Sequence, residues 1–231
     1  MSNPISESLL IDCMEYMAKF EDNYFDLACV DPEWGINAGK KKQYHAGAFT
    51  KYKAKEWDLT RPPKEYFKEL FRVSKNQIIW GANYFVDLLP PAKNWIVWDK
   101  SQPAGVSFSM HELAFNSCAG QAMIFRITSA SGKNNCVVKD LAQKYLRIHP
   151  TQKPIKLYSE TFKYFAKPGF KILDTHLGSQ SSRIAAYKMG FDFYGCEIDP
   201  DYFKDGNERF LKAIDEPLLA QIKYSENIKL F

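Results

Sequence analysis

Asp31, Pro32 and Trp34 fall together in the run Phe25-Asp-Leu-Ala-Cys-Val-Asp-Pro-Glu-Trp34. The apolar stretch leading into them reads as a buried strand, and open α/β sheets carry their chemistry in the crevice outside the carboxyl ends of strands. A carboxylate, a rigid backbone carbonyl and an aromatic plate at such a point suit a flat ring bearing an exocyclic amine. Trp34 would stack on the ring, while Asp31 and the carbonyl near Pro32 would accept the amine's two hydrogens. Proline has no N–H, so no donor at that point competes for the same acceptors. Taken alone, the segment also reads as a strand ending in an ordinary Asp-Pro turn.

A second group lies near the other end of the chain. Phe170-Lys-Ile-Leu-Asp174-Thr-His-Leu-Gly178-Ser179-Gln180 is followed by a helical pattern to Gly190 and then by Phe191-Asp-Phe-Tyr-Gly-Cys-Glu197. Strand, small-residue turn, helix, strand and acid is the order of a nucleotide-binding βαβ unit, in which the acid holds ribose hydroxyls. The turn lacks the Gly-x-Gly-x-x-Gly spacing that lets a backbone approach a pyrophosphate closely. NAD is therefore disfavoured, and a nucleoside cofactor without phosphates fits better.

These groups need a sheet to position them. Short strands are predicted up to Asp12, over Phe25–Val30, Gln77–Trp80, Trp95–Trp98, Leu113–Phe115 and Met123–Ile127, and in the two segments just described. Helices are predicted from Asp12 to about Phe20 and from Pro62-Pro63 through Val73. Others run from Pro154 to a stop at Pro168-Gly169, after Gly178, and over about Asp201–Ile214, several opened by proline at the first turn. No internal repeat or low-complexity tract interrupts the chain.

The 231 residues suffice for one α/β domain and not for two full ones. Five cysteines form no Cys-x-x-Cys pair and read as small buried residues in a reduced cytosol. Four histidines without ligand spacing give no metal site. No apolar run approaches a membrane span, and the start has no secretory pattern, so a cytoplasmic protein is expected. The net charge of +4 says little about partners, but its distribution says more. Lys40, Lys41, Lys42, His45, Lys51, Lys53 and Lys55 alternate with Tyr44, Phe49 and Tyr52, and no acid intervenes before Glu56. Basic and aromatic residues together serve phosphate contact and base stacking. A solvated surface loop is the plain alternative.

In this setting the chain resembles S-adenosylmethionine-dependent DNA amino-methyltransferases of the permuted (β) class, the adenine-N6/cytosine-N4 family. Leu10-Ile-Asp12-Cys13-Met-Glu15 is similar to the family's Gly-Asp-Cys-Leu-Glu element, and Asp31-Pro-Glu-Trp34 to its catalytic Asp-Pro-Pro-aromatic motif. His149-Pro-Thr151-Gln-Lys153-Pro154 and Asp174-Thr-His-Leu-Gly-Ser179 follow in the family's order, and Trp95–Lys100 and His111-Glu112 are weaker matches. The similarity covers about residues 8–205. It implies one methyltransferase domain over 1–231: a doubly wound, largely parallel, seven-stranded Rossmann-like sheet with helices on both faces. The cofactor implied is S-adenosylmethionine and the partner is DNA. The reaction implied is methyl transfer to the exocyclic amine of a flipped base, with Asp31 favouring adenine-N6 over cytosine-N4.

The resemblance assigns Asp31, Pro32 and Trp34 to catalysis. It assigns Asp12 and Cys13 to the cofactor's adenine and Glu197 to its ribose. Asp174, Thr175, His176, Gly178 and Ser179 go to the methionine portion, with Lys153 and Thr151 near its carboxylate. Residues 37–58, with Lys40, Lys41, Lys42, Lys51 and Lys53, would form a DNA-closing lid. Residues 119–147 would form a short target-recognition segment, so specificity is expected to be short or to come from a homodimer, with or without a restriction partner. Glu33 departs from the family's usual proline, His176 from its phenylalanine and Gln180 from its glycine. These departures leave two other readings: a catalytically weakened paralogue that binds DNA or cofactor, and an RNA or small-molecule N-methyltransferase on the same fold.

Overall fold

The computed structural model describes residues 3–38, 58–102, 105, 109–128, 148–149 and 151–214. Eight apolar runs form one sheet: β1 (Ser6–Leu10), β2 (Leu27–Val30), β3 (Gln77–Trp80), β4 (Asn94–Asp99), β5 (His111–Asn116), β6 (Met123–Arg126), β7 (Lys171–Asp174) and β8 (Asp192–Glu197). Their order is β1-β8-β7-β2-β3-β5-β4-β6, one strand more than the family resemblance implied. β5 pairs antiparallel with β3 and β4, while every other pairing is parallel. β5 therefore brings its amino end, His111 and Glu112, to the edge where the other strands end.

Alternation along the central strands explains the layers. Leu27 and Cys29 point to one face, where α3 (Ile155–Phe165) and α4 (Ser181–Lys188) pack through Leu157, Phe162, Ala185 and Ala186. Ala28 and Val30 point to the other, against α1 (Cys13–Met17) and α2 (Lys64–Val73) through Tyr16, Met17, Phe67 and Leu70. α5 (Pro200–Ile214) rests on α4 through Phe210, Ala213 and Ile184. Asp12 caps α1 by accepting from the Met14 and Glu15 amides, and Pro63 and Pro154 stand extended immediately before α2 and α3.

β2 and β7 meet at the middle of the sheet, and their ladder is short: Leu27 and Ala28 register with Ile172 and Leu173. Beyond those pairs β2 is followed sideways by β3, and β7 by β8. This is the switch point at which doubly wound sheets open a crevice. The loops after β2 and β7 both emerge there.

Candidate active site

The turn after β2 holds Asp31 against a buried cation. Lys153, just before α3, is 2% exposed and places its ammonium on Asp31 Oδ2. It also stands 3.2 Å from Glu112, whose carboxylate lies 2.7 Å from Lys100. Burial alone would depress Lys153, but Asp31 and Glu112 outweigh it and hold the ammonium above the usual lysine value. Burial pushes the Asp31 carboxyl up, and Lys153 opposes that. Asp31 Oδ1 is buried and has no hydrogen-bond partner among the described residues. One oxygen of the carboxylate is thus fixed, and the other is a buried acceptor without a donor among the described residues. The family resemblance put Lys153 near the cofactor's carboxylate; its ammonium lies on Asp31 and by Glu112, which antiparallel β5 brings to the same edge.

Trp34 is fixed from three sides. Its ring stacks on Tyr84 at 5.1 Å and 20°. Gly81, left-handed at φ 71°, lies beneath it, and a Cβ there would stand 2.1 Å from the indole nitrogen. The Lys153 ammonium is 5.0 Å from the ring centroid. The backbone behind Trp34 is held by Asp58, buried at 2% exposure. Its carboxylate accepts from the amides of Trp34, Gly35, Ile36 and Ala38 at 2.7 to 3.3 Å. Neither Asp58 nor Tyr84 stood out in the sequence, since a lone acid or a tyrosine among apolar neighbours carries no signal of its own. Gly81, directly after a strand, was the one legible hint.

The loop after β7 is an acidic scaffold. Asp174 accepts from the His176 amide and the Ser182 hydroxyl, and burial pushes it up to about 7. Glu197 accepts from the Gly178 amide at 2.7 Å and the Asp199 amide at 2.9 Å; burial raises it, and those two N–H groups oppose the rise. Gln180 adopts the left-handed conformation at φ 58°, which explains why glycine is common at this point in the family. Its side chain packs on Gly206, where a Cβ would lie 2.8 Å from Cγ, and its Oε1 accepts from Arg183 at 2.9 Å. These contacts offset left-handed strain of roughly 1–2 kcal/mol.

Two clefts share a wall here. Asp31, Pro32, Trp34, Thr151, Lys153, Gly178 and Ser179 line one, and Asp12, Cys13 and Thr175 line the other; Glu33, His176 and Glu197 line both. Asp174 lies behind them, buried. Thr151 turns to the His149 ring, with Oγ1 3.1 Å from Nδ1. Glu33 is not a loose charge: its Oε2 stands 3.3 Å from His176 Nε2. Burial would raise Glu33 and depress His176; His176 overcomes the first and Glu33, with Cys13, the second, so the carboxyl sits below its usual range and the imidazole well above. Lys40, Lys41, Lys42, Lys51 and Lys53 lie outside the described residues, as do residues 129–147 of the expected recognition segment. Among the described residues no three His, Cys, Asp or Glu side chains are grouped to hold a metal ion, and no helix is long and apolar enough to cross a membrane.

Comparison with known proteins gives the chain's family and fold. A curated protein named as a methylase, YubD of Escherichia coli K12, is 33% identical over 63 residues, which span 27% of this chain and 28% of that protein. The fold is similar to that of M1.HpyAVI solved with S-adenosylmethionine: TM-score 0.55, 17% identity, covering 88% of this chain and 98% of that one. It is also similar to TTHA0409 of Thermus thermophilus, named as a DNA modification methylase and likewise solved with S-adenosylmethionine (0.55, 17%, 92% and 96%). PvuII DNA methyltransferase, cytosine-N4-specific, matches at 0.60 with 12% identity over 93% of this chain and 91% of that one. The sequence pattern of the N6/N4 DNA methylases matches residues 15–208. With the α/β sheet, the carboxylate at the end of β2 and the acidic loop after β7 in place, the chain belongs to the N6/N4 DNA methylase family.

Proposed function

We propose that this chain transfers a methyl group from S-adenosylmethionine to the exocyclic amine of a flipped base in DNA, adenine-N6 in preference to cytosine-N4. The observation that carries the reading is Asp31: Oδ2 bound by Lys153, Oδ1 buried and unpartnered among the described residues, beside Trp34 in the cleft. An aromatic amine is a poor nucleophile because its lone pair is delocalised into the ring. Asp31 Oδ1 accepts one amine hydrogen and the backbone carbonyl at Pro32 the other, which favours a pyramidal nitrogen and localises the lone pair. The bound cofactor supplies an electrophilic methyl on a sulfonium. Transfer would exchange the methyl–sulfur bond for the new N–C bond and leave a neutral thioether; Asp31 serves as a hydrogen-bond acceptor, and the methylated amine gives up its surplus proton to water. Trp34 stacks on the extruded base and offsets part of the few kcal/mol needed to take it out of the duplex.

The residues fit this cofactor. Glu197 presents a carboxylate at the shared wall for ribose hydroxyls, Asp12 and Cys13 lie beside the second cleft for the adenine, and the surrounding acids suit a sulfonium. The adenine preference rests on Asp31 at the first motif position. Lys40, Lys41, Lys42, Lys51 and Lys53 are proposed to contact phosphates, and residues 119–147 to contribute target recognition. The weakened-paralogue reading loses its main motive, because Glu33 is neutralised by His176 and Gln180 keeps the loop's left-handed turn.

Labelled S-adenosylmethionine with DNA, RNA and small-molecule amines as acceptors tests the reading. DNA labelling on adenine, lost in Asp31→Ala with cofactor affinity kept within a few-fold, is the expected result. Labelling of RNA alone, or wild-type turnover by Asp31→Ala, would overturn it.

A further inference from the structure

Two positions where this chain departs from the family pattern meet each other. Glu33 lies on the turn that carries Asp31 and Trp34, and His176 on the loop after β7. The ladder between β2 and β7 ends at Ala28 and Leu173. Above that point Glu33 Oε2 and His176 Nε2, 3.3 Å apart, link the two loops across the crevice. Both residues line both clefts.

The link continues into the body of the protein. His176 Nδ1 is 2.9 Å from Thr175 Oγ1, which is 2.7 Å from the buried Tyr66 hydroxyl on α2. The Tyr66 ring packs edge-on against the imidazole, 5.3 Å between centroids at 73°. The imidazole is coupled electrostatically to Glu33 and Asp31 on the turn after β2, to Asp174 at the end of β7, to Glu197 at the end of β8 and to the Cys13 thiol on α1. Asp31 is already paired with Lys153, so Glu33 is the carboxylate in ion-pair contact with the imidazole, and removing either partner of that pair singly leaves the other charge buried and unpaired.

We propose that Glu33 and His176 are a matched pair of positioning residues that lock the base-side turn to the cofactor-side loop, so that filling one cleft organises the other. This rests on the methyltransferase reading above and deepens it. In an ion pair of this kind the loss of one partner strands the other charge. Replacing both with the apolar residues usual at these positions removes both charges at once.

The test is binding of S-adenosylhomocysteine by calorimetry, with methyl transfer measured alongside, for wild type, Glu33→Gln, His176→Gln and the double variant Glu33→Pro/His176→Phe. Each single change is expected to weaken binding and slow transfer by roughly ten- to a hundredfold, the scale of a charge-assisted hydrogen bond. The double variant is expected to recover to within a few-fold of wild type. NMR titration of the His176 ring supplies a second readout: its midpoint should fall in Glu33→Gln, and the pH dependence of binding that follows it should vanish in the double variant. Additive losses in the double variant, or a His176 midpoint indifferent to Glu33, would overturn the positioning role alone. Failure of wild type to bind S-adenosylhomocysteine would overturn the methyltransferase reading and the positioning role with it.

Discussion

Trp34 lies across Gly81 so closely that the only side chain the position admits is a hydrogen atom: a Cβ would stand 2.1 Å from the indole nitrogen. Gly81→Ala should therefore displace Trp34 from its stack on Tyr84. Methyl transfer should fall by at least about tenfold, on the scale of 1–3 kcal/mol for base–aromatic stacking. Placing 2-aminopurine at the target position checks this, since its fluorescence reports the extruded base. The double variant Trp34→Ala/Gly81→Ala should be more stable than Gly81→Ala alone, because the clash is gone.

Asp58 gathers the amides of Trp34, Gly35, Ile36 and Ala38 on one carboxylate. Asp58→Ala strands those donors, and a destabilisation of about 3 kcal/mol is expected from the cost of unsatisfied buried N–H groups. Asp58→Asn, which keeps one acceptor oxygen, should fall between. Urea denaturation measures both, and an unchanged midpoint in Asp58→Ala would show that the turn stands without its clamp.

Asp174 gives the fold a pH dependence of definite sign. Burial lifts its folded-state pKa to about 7, above the unfolded value of 3.8, so the folded protein binds this proton more tightly. Its contribution is fully present below about pH 4 and is lost as pH rises through 7. Asp174→Asn should flatten stability between those limits and be more stable than wild type at pH 8, by at most on the order of 4 kcal/mol. Thermal melts from pH 5 to 8.5 decide it, and parallel curves for the two proteins would refute it.

The run Lys40-Lys41-Lys42 is expected to contact phosphates. Replacing all three with alanine should flatten the plot of log DNA affinity against log salt by about one unit per lost contact. Affinity for S-adenosylmethionine should hardly change. An unaltered salt slope would leave the run as solvated surface.

The apolar runs that form the strands were legible because buried strands must be apolar, and the motif at Asp31 to Trp34 was legible because its residue types sit at a strand end. Strand direction was not. Nothing in His111–Asn116 announces that it runs against its neighbours, so the sharing of Lys153 by Asp31 and Glu112 could not be read. Nor could the pairing of Glu33 with His176, since the two are remote in sequence and each looked like an isolated departure. Asp58 escaped for a similar reason: its partners are backbone amides, which every residue has.

The junction of β2 with β7 also governs how the molecule is made. The Lys171 amide donates to Asp26, 145 positions earlier, and the Ile5 amide to Asp192, 187 positions later. Contacts this remote impose large loop-closure entropy before they return any stability, and they slow folding. During synthesis β2, buried on both faces in the finished sheet, must wait with one edge unpaired until Lys171–Asp174 emerges. The two halves of the crevice are joined only late in synthesis, and until then the open edge of β2 is the place where misassembly would begin.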